Sequence, residues 1–273
     1  MEKGRSLGHG VKFDMKLVAV IPARLASTRF PRKILFPFHG LPMIEHVRRR
    51  ALLSGAFVDV YVATCDDEIA KIVSAYGGKV IMTSSVHING TDRVAEAVKN
   101  IDCSHVLLLQ GDEPLVLPRH IDLFAQAILA NEDVDAWNAI GAIENMEELD
   151  RHSFVKCVTS STGRILYCFR RTPCYSTYEV QQTFVRKMLG LIAYRKDFLL
   201  RLASLPPSSI EHAESIEQLR IIEGGFILQS ILVSPSLPSV NEPNEIELVL
   251  GCIKSKPEQQ ILLEQILNQP PAD

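Results

Sequence analysis

No apolar run in this 273-residue sequence approaches the ~18 residues that span a bilayer, and the N-terminus holds no apolar signal-peptide core. No two of the six cysteines (Cys65, Cys103, Cys157, Cys168, Cys174 and Cys252) form a C-x-x-C pair, which argues against a zinc site or a redox motif. Their scatter suits a reducing, cytoplasmic setting in which cysteine behaves as a small hydrophobe. Positive charge is not in excess either. The formal net charge is −3, which argues against general nucleic-acid binding. Internal repeats, low-complexity tracts and clear linkers are absent. What is present is 47 % apolar and 22 % charged residues, the composition of an ordinary globular protein with a full core.

Residues 1–14 are polar and Gly-rich and read as a disordered leader, with Met15 as a candidate start. Residues 15–273 read as one domain. Lys16–Ala23 is a near-continuous apolar run, the mark of a strand buried on both faces. Further strands are expected at Phe57–Thr64, Lys79–Thr83 and His105–Gln110. Helices are expected over Pro42–Ser54, over Asp66–Tyr76 (stopped by Gly77-Gly78), and from a Thr91 cap through Asn100. Strand and helix alternate with short connections, so the fold class is α/β with a doubly wound, mostly parallel sheet. Beyond Asp150 the pattern changes. Phe154–Ser160 and Arg164–Phe169 read as a hairpin, Met188–Tyr194 and Phe226–Val233 as strands, Ile210–Glu223 as a helix, and Pro243 to about Leu267 as mostly helical. An antiparallel β region is thus expected as an insertion at about 151–190.

The first loop, Ile21-Pro22-Ala23-Arg24-Leu25-Ala26-Ser27-Thr28-Arg29-Phe30-Pro31-Arg32-Lys33, carries four cations and two hydroxyls at the C-terminal end of the first strand. Ligands of open α/β sheets bind at that edge. Arginine and lysine can clamp triphosphate oxygens there, although the composition alone equally suits a solvated basic loop. Asp112 follows the apolar strand at 105–110 and faces the same edge. A carboxylate so placed can hold Mg²⁺ against phosphates, or it can be a turn aspartate before Pro114. Elsewhere the plainer expectations stand: His105 and His120 structural or solvated, Arg48-Arg49-Arg50 on an exposed helix face, Trp137 in the core.

Beyond its composition, the loop's I-P-A-R-x-x-S-T-R-x-P-x-K pattern resembles the signature of the CMP-Kdo synthetases (3-deoxy-manno-octulosonate cytidylyltransferases). Further segments are similar to that family in the right order: Gly40-Leu41-Pro42-Met43-Ile44, Val62-Ala63-Thr64-Cys65-Asp66, Met82-Thr83 through Asp92-Arg93, Gln110-Gly111-Asp112-Glu113-Pro114, and Ile210-Glu211-His212 with Glu217-Gln218-Leu219-Arg220. The resemblance covers about residues 16 to 255. It implies a glycosyltransferase-A-like nucleotidyltransferase, cytoplasmic and part of lipopolysaccharide biosynthesis, that joins an acidic sugar to CMP with CTP as co-substrate and Mg²⁺ as cofactor. By the same resemblance Arg24, Ser27, Arg29 and Lys33 would hold phosphates, and Gly90, Thr91 and Arg93 would lie near cytosine and ribose. Gln110, Arg170, Met188, Ile192, Glu217 and Gln218 would face the acceptor, and Asp112 would ligate Mg²⁺ with Asn241 beside it. A homodimer contact through 151–190 is also implied. Neither a nucleic acid nor a membrane is an expected partner.

Two departures from the family pattern bear on function. Asn241 stands where the family has its second metal aspartate, leaving Glu242 as a conceivable substitute. Met188 and Ile192 stand where a sugar-facing histidine and tyrosine are expected. A site that loses hydroxyl partners changes its substrate preference. The acceptor is therefore Kdo or a related 2-keto-3-deoxy acid, with a phosphonate or an amino-sugar acid as the alternative. A nucleotide-binding relative with little turnover would also carry these departures. A dinucleotide-dependent dehydrogenase is disfavoured, because the first loop has no G-x-G-x-x-G.

Overall fold

Leu17–Ala23 forms β1, and all but one of its seven residues are buried, as an unbroken apolar run requires. The computed structural model describes residues 15–87, 89–131 and 133–269. The expected leader at 1–14 lies outside them. After β1 come the short strands β2 (Pro37–Phe38) and β3 (Leu41–Pro42), then α1 (Met43–Leu52), β4 (Asp59–Thr64), α2 (Asp67–Ala75), β5 (Lys79–Met82), α3 (Gly90–Val98) and β6 (His105–Leu109). The later part holds α4 (Pro118–Ala130), β7 (Ala136–Ala142), α5 (Met146–Asp150), β8 (Lys156–Thr159), β9 (Ile165–Phe169), α6 (Tyr178–Gln181) and β10 (Val185–Arg195). It closes with α7 (Lys196–Ser204), α8 (Ser209–Glu214), α9 (Leu219–Glu223), β11 (Leu228–Leu232), α10 (Ile246–Ser255) and α11 (Pro257–Leu267).

The central sheet runs β11-β7-β10-β6-β1-β4-β5. β1 is parallel to β4 and β6, β4 to β5, and β11 to β7. β10 alone on this path runs antiparallel to both its neighbours, β6 and β7. Its first residues keep β7 on one side and pair on the other with β8, which pairs with β9, making the antiparallel region. Side chains of a strand point alternately to opposite faces, and β1 shows the consequence. Leu17, Ala19 and Ile21 enter one apolar core, while Val18 and Val20 enter the other. Among the described residues no helix is long and apolar enough to cross a membrane.

Three local expectations fail, each for a physical reason. Arg48, Arg49 and Arg50 are buried, not an exposed face. Helix α11 lies over α1 and takes the carbonyl of Ile266 to within 2.6 Å of Arg49 Nη1, and the buried Glu45 carboxylate accepts from both Arg48 and Arg49. Helix α3 is capped by Asn89, whose Oδ1 accepts from Asp92 N at 2.8 Å, so Thr91 sits inside the first turn. The stretch 210–223 is not one helix. Ser215 adopts a left-handed φ of 54°, which ends α8, and α9 begins only at Leu219. The turn between them projects Glu217 and Gln218 toward the sheet edge. Trp137 is fully buried as expected. His120 is buried against the carbonyl of Ser234, and His105 shares a hydrogen bond with Ser104 Oγ.

Candidate active site

The C-terminal ends of β1 and β6 and the start of α3 open onto one cleft of about 770 Å³, within the size range of small-ligand sites. On one side of it lies the loop after β1. This loop is folded back on itself by Arg32 N donating to Leu25 O at 3.0 Å, and is tied to the start of α2 by Leu25 N donating to Asp66 Oδ2 at 2.9 Å. The folding sorts its cations. Arg24, Ser27, Arg29 and Lys33 line the cleft, whereas Arg32 turns outward and pairs with Glu68.

Lys33 is the pivot. Its ammonium donates to Asp112 Oδ2 at 2.6 Å and to Val240 O at 2.8 Å. Val240 N in turn donates to Asp112 O at 2.9 Å, so the segment carrying Asn241 is laid beside the loop carrying Asp112. Both residues line the cleft, as do Gly90, Arg93, Gln110, Arg170, Met188, Ile192, Glu217 and Gln218. Thr91 does not. Its side chain is buried and its Oγ1 lies 3.3 Å from the Tyr194 hydroxyl, because the second residue of α3 faces the sheet. It reaches the site through Glu217, whose Oε2 accepts from its backbone N–H at 3.0 Å and whose carboxylate also takes a hydrogen bond from its side chain. Arg93 is 3 % exposed. It spends its donors on Thr83 Oγ1, Ser84 O and His87 O, so it shapes the wall at 83–87.

The other side, which the resemblance would give to the acceptor, is assembled from distant segments. Gln218 Nε2 donates to Asn138 Oδ1 at 3.2 Å. Glu217 sits at the N-terminus of α3, where helix N–H groups favour a carboxylate, yet burial holds its pKa above the usual range. Arg170 donates to the carbonyls of Glu214, Ser215 and His152 at 3.0–3.1 Å, which fixes its guanidinium at the cleft rim. Met188 and Ile192 give the wall an apolar surface, and Ile192 is 2 % exposed. Phe154 lies between the charged ends of Arg151 and Lys187, at 4.9 and 5.2 Å. The polar cleft residues that carry no sequence assignment include Lys187 (paired with Glu148 at 2.6 Å), Asn89 and Glu113. Glu113 belongs to the Gln110–Pro114 segment, and that membership is the only signal that could have flagged it. Burial, reinforced by the Asp112 charge, pushes its carboxyl up to about 8.

A magnesium ion wants hard oxygen donors and tolerates one or two from protein when phosphates complete its shell. The Asp112 carboxylate and the Asn241 amide oxygen are such donors, and they adjoin through the Val240–Asp112 backbone bond. The donor set fits. Glu242 does not replace the missing aspartate. Its carboxylate caps the turn at Pro243–Glu245, and it does not line this cleft.

Comparison with known proteins agrees with this geometry. The family model described as cytidylyltransferase matches residues 18–231. A 3-deoxy-manno-octulosonate cytidylyltransferase of Chlorobium limicola is 42 % identical, covering 86 % of this chain and 96 % of its own. The enzyme of that name from Escherichia coli is 37 % identical over 86 % of this chain and 94 % of its own. A solved CMP:2-keto-3-deoxy-manno-octonic acid synthetase complexed with CTP superposes with a TM-score of 0.82 at 35 % identity, covering 88 % of this chain and 99 % of that one. A nucleotidyltransferase enzyme by these measures, the chain belongs to the cytidylyltransferase family and, within it, to the 3-deoxy-manno-octulosonate cytidylyltransferases.

Proposed function

We propose that this enzyme transfers CMP from CTP to Kdo or a closely related 2-keto-3-deoxy acid, releasing pyrophosphate. The observation that carries the reading is that one cleft holds the cation loop on one side, acceptor-facing amides on the other, and the Lys33–Asp112 pair between them. Arg24, Ser27 and Arg29 would clamp the triphosphate. Lys33, freed from Asp112 as ligands bind, would neutralise charge building on the leaving pyrophosphate, and preorganised donors of this kind supply much of an enzyme's rate. Gln110, Gln218 and Arg170 would orient the acid so that one of its hydroxyls lies in line with the α-phosphorus. A magnesium ion held by Asp112 and the Asn241 oxygen would neutralise phosphate charge and lower the acceptor hydroxyl's pKa.

A second reading has its own support. Met188 and Ile192 present hydrocarbon to the acceptor, and burying a hydroxyl without a partner costs about 1–3 kcal/mol. An acid with fewer hydroxyls on that side, a phosphonate or an amino-substituted octulosonate, would then be preferred. The test compares pyrophosphate release from CTP and Mg²⁺ with Kdo, its 8-amino analogue, sialic acid and small phosphonates. Preference for Kdo or the amino analogue supports the proposal. Pyrophosphate release with phosphonates alone replaces it with the second reading. Tight CTP binding with no release in any arm makes the chain a nucleotide-binding relative with little turnover.

We also propose a homodimer formed through the β8–β10 region. What supports it is that Leu166, Tyr175 and Val180 there are large apolar side chains left exposed, Tyr175 completely. Sedimentation equilibrium giving a monomer mass at micromolar concentration would overturn it.

A further inference from the structure

The long strand β10 loses register against β7 in the middle of the acceptor wall. Met188 pairs with Ile140 and Ile192 with Asn138, so residues 189–191 face Ala139 alone. A bulge of this kind leaves peptide groups without ladder partners, and buried peptide groups left unpaired cost free energy. Leu189 O on the β7 side, and the Gly190 peptide on the other side just past the end of the β6 ladder, find a side chain or a loop. Asn138, fully buried, donates through Nδ2 to Leu189 O at 3.1 Å. Glu113 Oε1 accepts from Gly190 N at 3.0 Å. Gln110 N donates to Gly190 O at 2.8 Å. The fit at Gly190 is close. A Cβ there would meet Glu113 Oε1 at 2.6 Å and Gln110 Cβ at 2.9 Å.

Each contact leads to an acceptor-facing group and none to the cation loop. Asn138 also holds the Gln218 amide through its Oδ1. Gln110 shares the Gly190 peptide, and Met188 and Ile192 flank the bulge on either side. We propose that Glu113 and Asn138 are positioning residues for the acceptor: they fasten the β10 bulge and thereby set the placement of Gln110, Met188, Ile192 and Gln218. The inference rests on the acceptor side assigned above. Glu113 works here as a hydrogen-bond acceptor, so an amide oxygen at its position serves as well as a carboxylate.

The test measures KM for CTP and for the best acceptor separately, with CTP affinity by calorimetry, in Glu113→Ala, Glu113→Gln and Asn138→Ala. Alanine at either position is expected to raise acceptor KM about tenfold or more, about 1.4 kcal/mol of lost positioning, with CTP KM and CTP affinity within about twofold of wild type. Glu113→Gln is expected to restore most of the loss. Should Glu113→Ala fail to fold, Glu113→Gln and Asn138→Ala carry the test: acceptor KM should stay near wild type in the first and rise alone in the second. Acceptor KM unchanged in a folded variant, CTP KM rising in step, or Glu113→Gln as impaired as Glu113→Ala would each overturn the proposal. A wild type that releases pyrophosphate with no acid in the panel sinks the acceptor reading, and this inference with it. An active wild type with unaltered variants sinks the bulge clamp alone.

Discussion

At the end of the cleft proposed for the nucleotide, Arg24, Ser27 and Arg29 stand on one contiguous loop, with both arginines exposed. At the end proposed for the acceptor, Gln110, Gln218 and the β10 pair Met188 and Ile192 arrive from three separate segments and are half-buried or buried, with Ile192 part of the apolar core. Exposed side chains on a short loop can be altered without touching the core. Side chains that are both wall and core cannot. The two ends should therefore fail differently, one in catalysis and the other in stability and catalysis together.

The largest effect expected is at Lys33, which bridges the ends. Lys33→Ala should lower kcat/KM for CTP by about 10²–10³-fold, the range for removing one preorganised charge-stabilising donor, while the melting temperature stays within a few degrees. Comparable kinetics in wild type and variant would remove the loop from the chemistry and dissolve the comparison. Ile192→Ala comes next and should behave oppositely. Deleting a buried isoleucine costs about 2–4 kcal/mol of stability, readable by urea unfolding with unchanged m-value, whereas Arg24→Ala should cost almost none. Equal stability losses in the two variants would show that the nucleotide loop is as structural as the wall.

Smaller, and away from both ends, is a pH effect at His46. Its ring is fully buried and its pKa is lowered to about 4, chiefly by burial and further by the Arg50 charge. The native state refuses a proton that the unfolded chain accepts below pH 6.5, so stability falls as pH drops from about 6.5 toward 4 and levels off below that. The loss between pH 7 and pH 5 should be about 2 kcal/mol, visible as the part of the pH dependence that vanishes in His46→Gln. A profile identical in the two proteins would contradict it. The smallest effect is at Asp112. Asp112→Asn should cut turnover by at least about tenfold, near 1.4 kcal/mol, and raise the Mg²⁺ concentration needed for half-maximal rate. Full activity at low Mg²⁺ would leave Asp112 as a partner of Lys33 only.

Much of the molecule can be read from the chain because its signals are local. Lys16–Ala23 and His105–Gln110 read as strands since unbroken apolar runs have one stable use in an α/β sheet. The cation loop and Asp112 read as site residues because they follow those strands at the edge where ligands bind. Family resemblance adds the acceptor-facing residues by position. Local signals fail where packing from elsewhere decides. Arg48, Arg49 and Arg50 look like a solvated face until α11, more than 200 residues away in the chain, covers them with the carbonyl of Ile266. Thr91 sits in a motif, but its rotation about α3 takes its side chain away from the cleft.

By itself, then, the sequence determined the order of strands and helices, the parallel frame around β1 and the cation loop at its end, all properties of short segments with a fixed period or a fixed edge. Only the tertiary structure decided the acceptor end. The antiparallel entry of β10, its bulge beside Ala139 and the meeting of Glu113, Asn138 and Gln218 around it join residues up to 105 positions apart. No local periodicity records such a meeting, because it is set by which buried peptide groups must find partners once the sheet has closed.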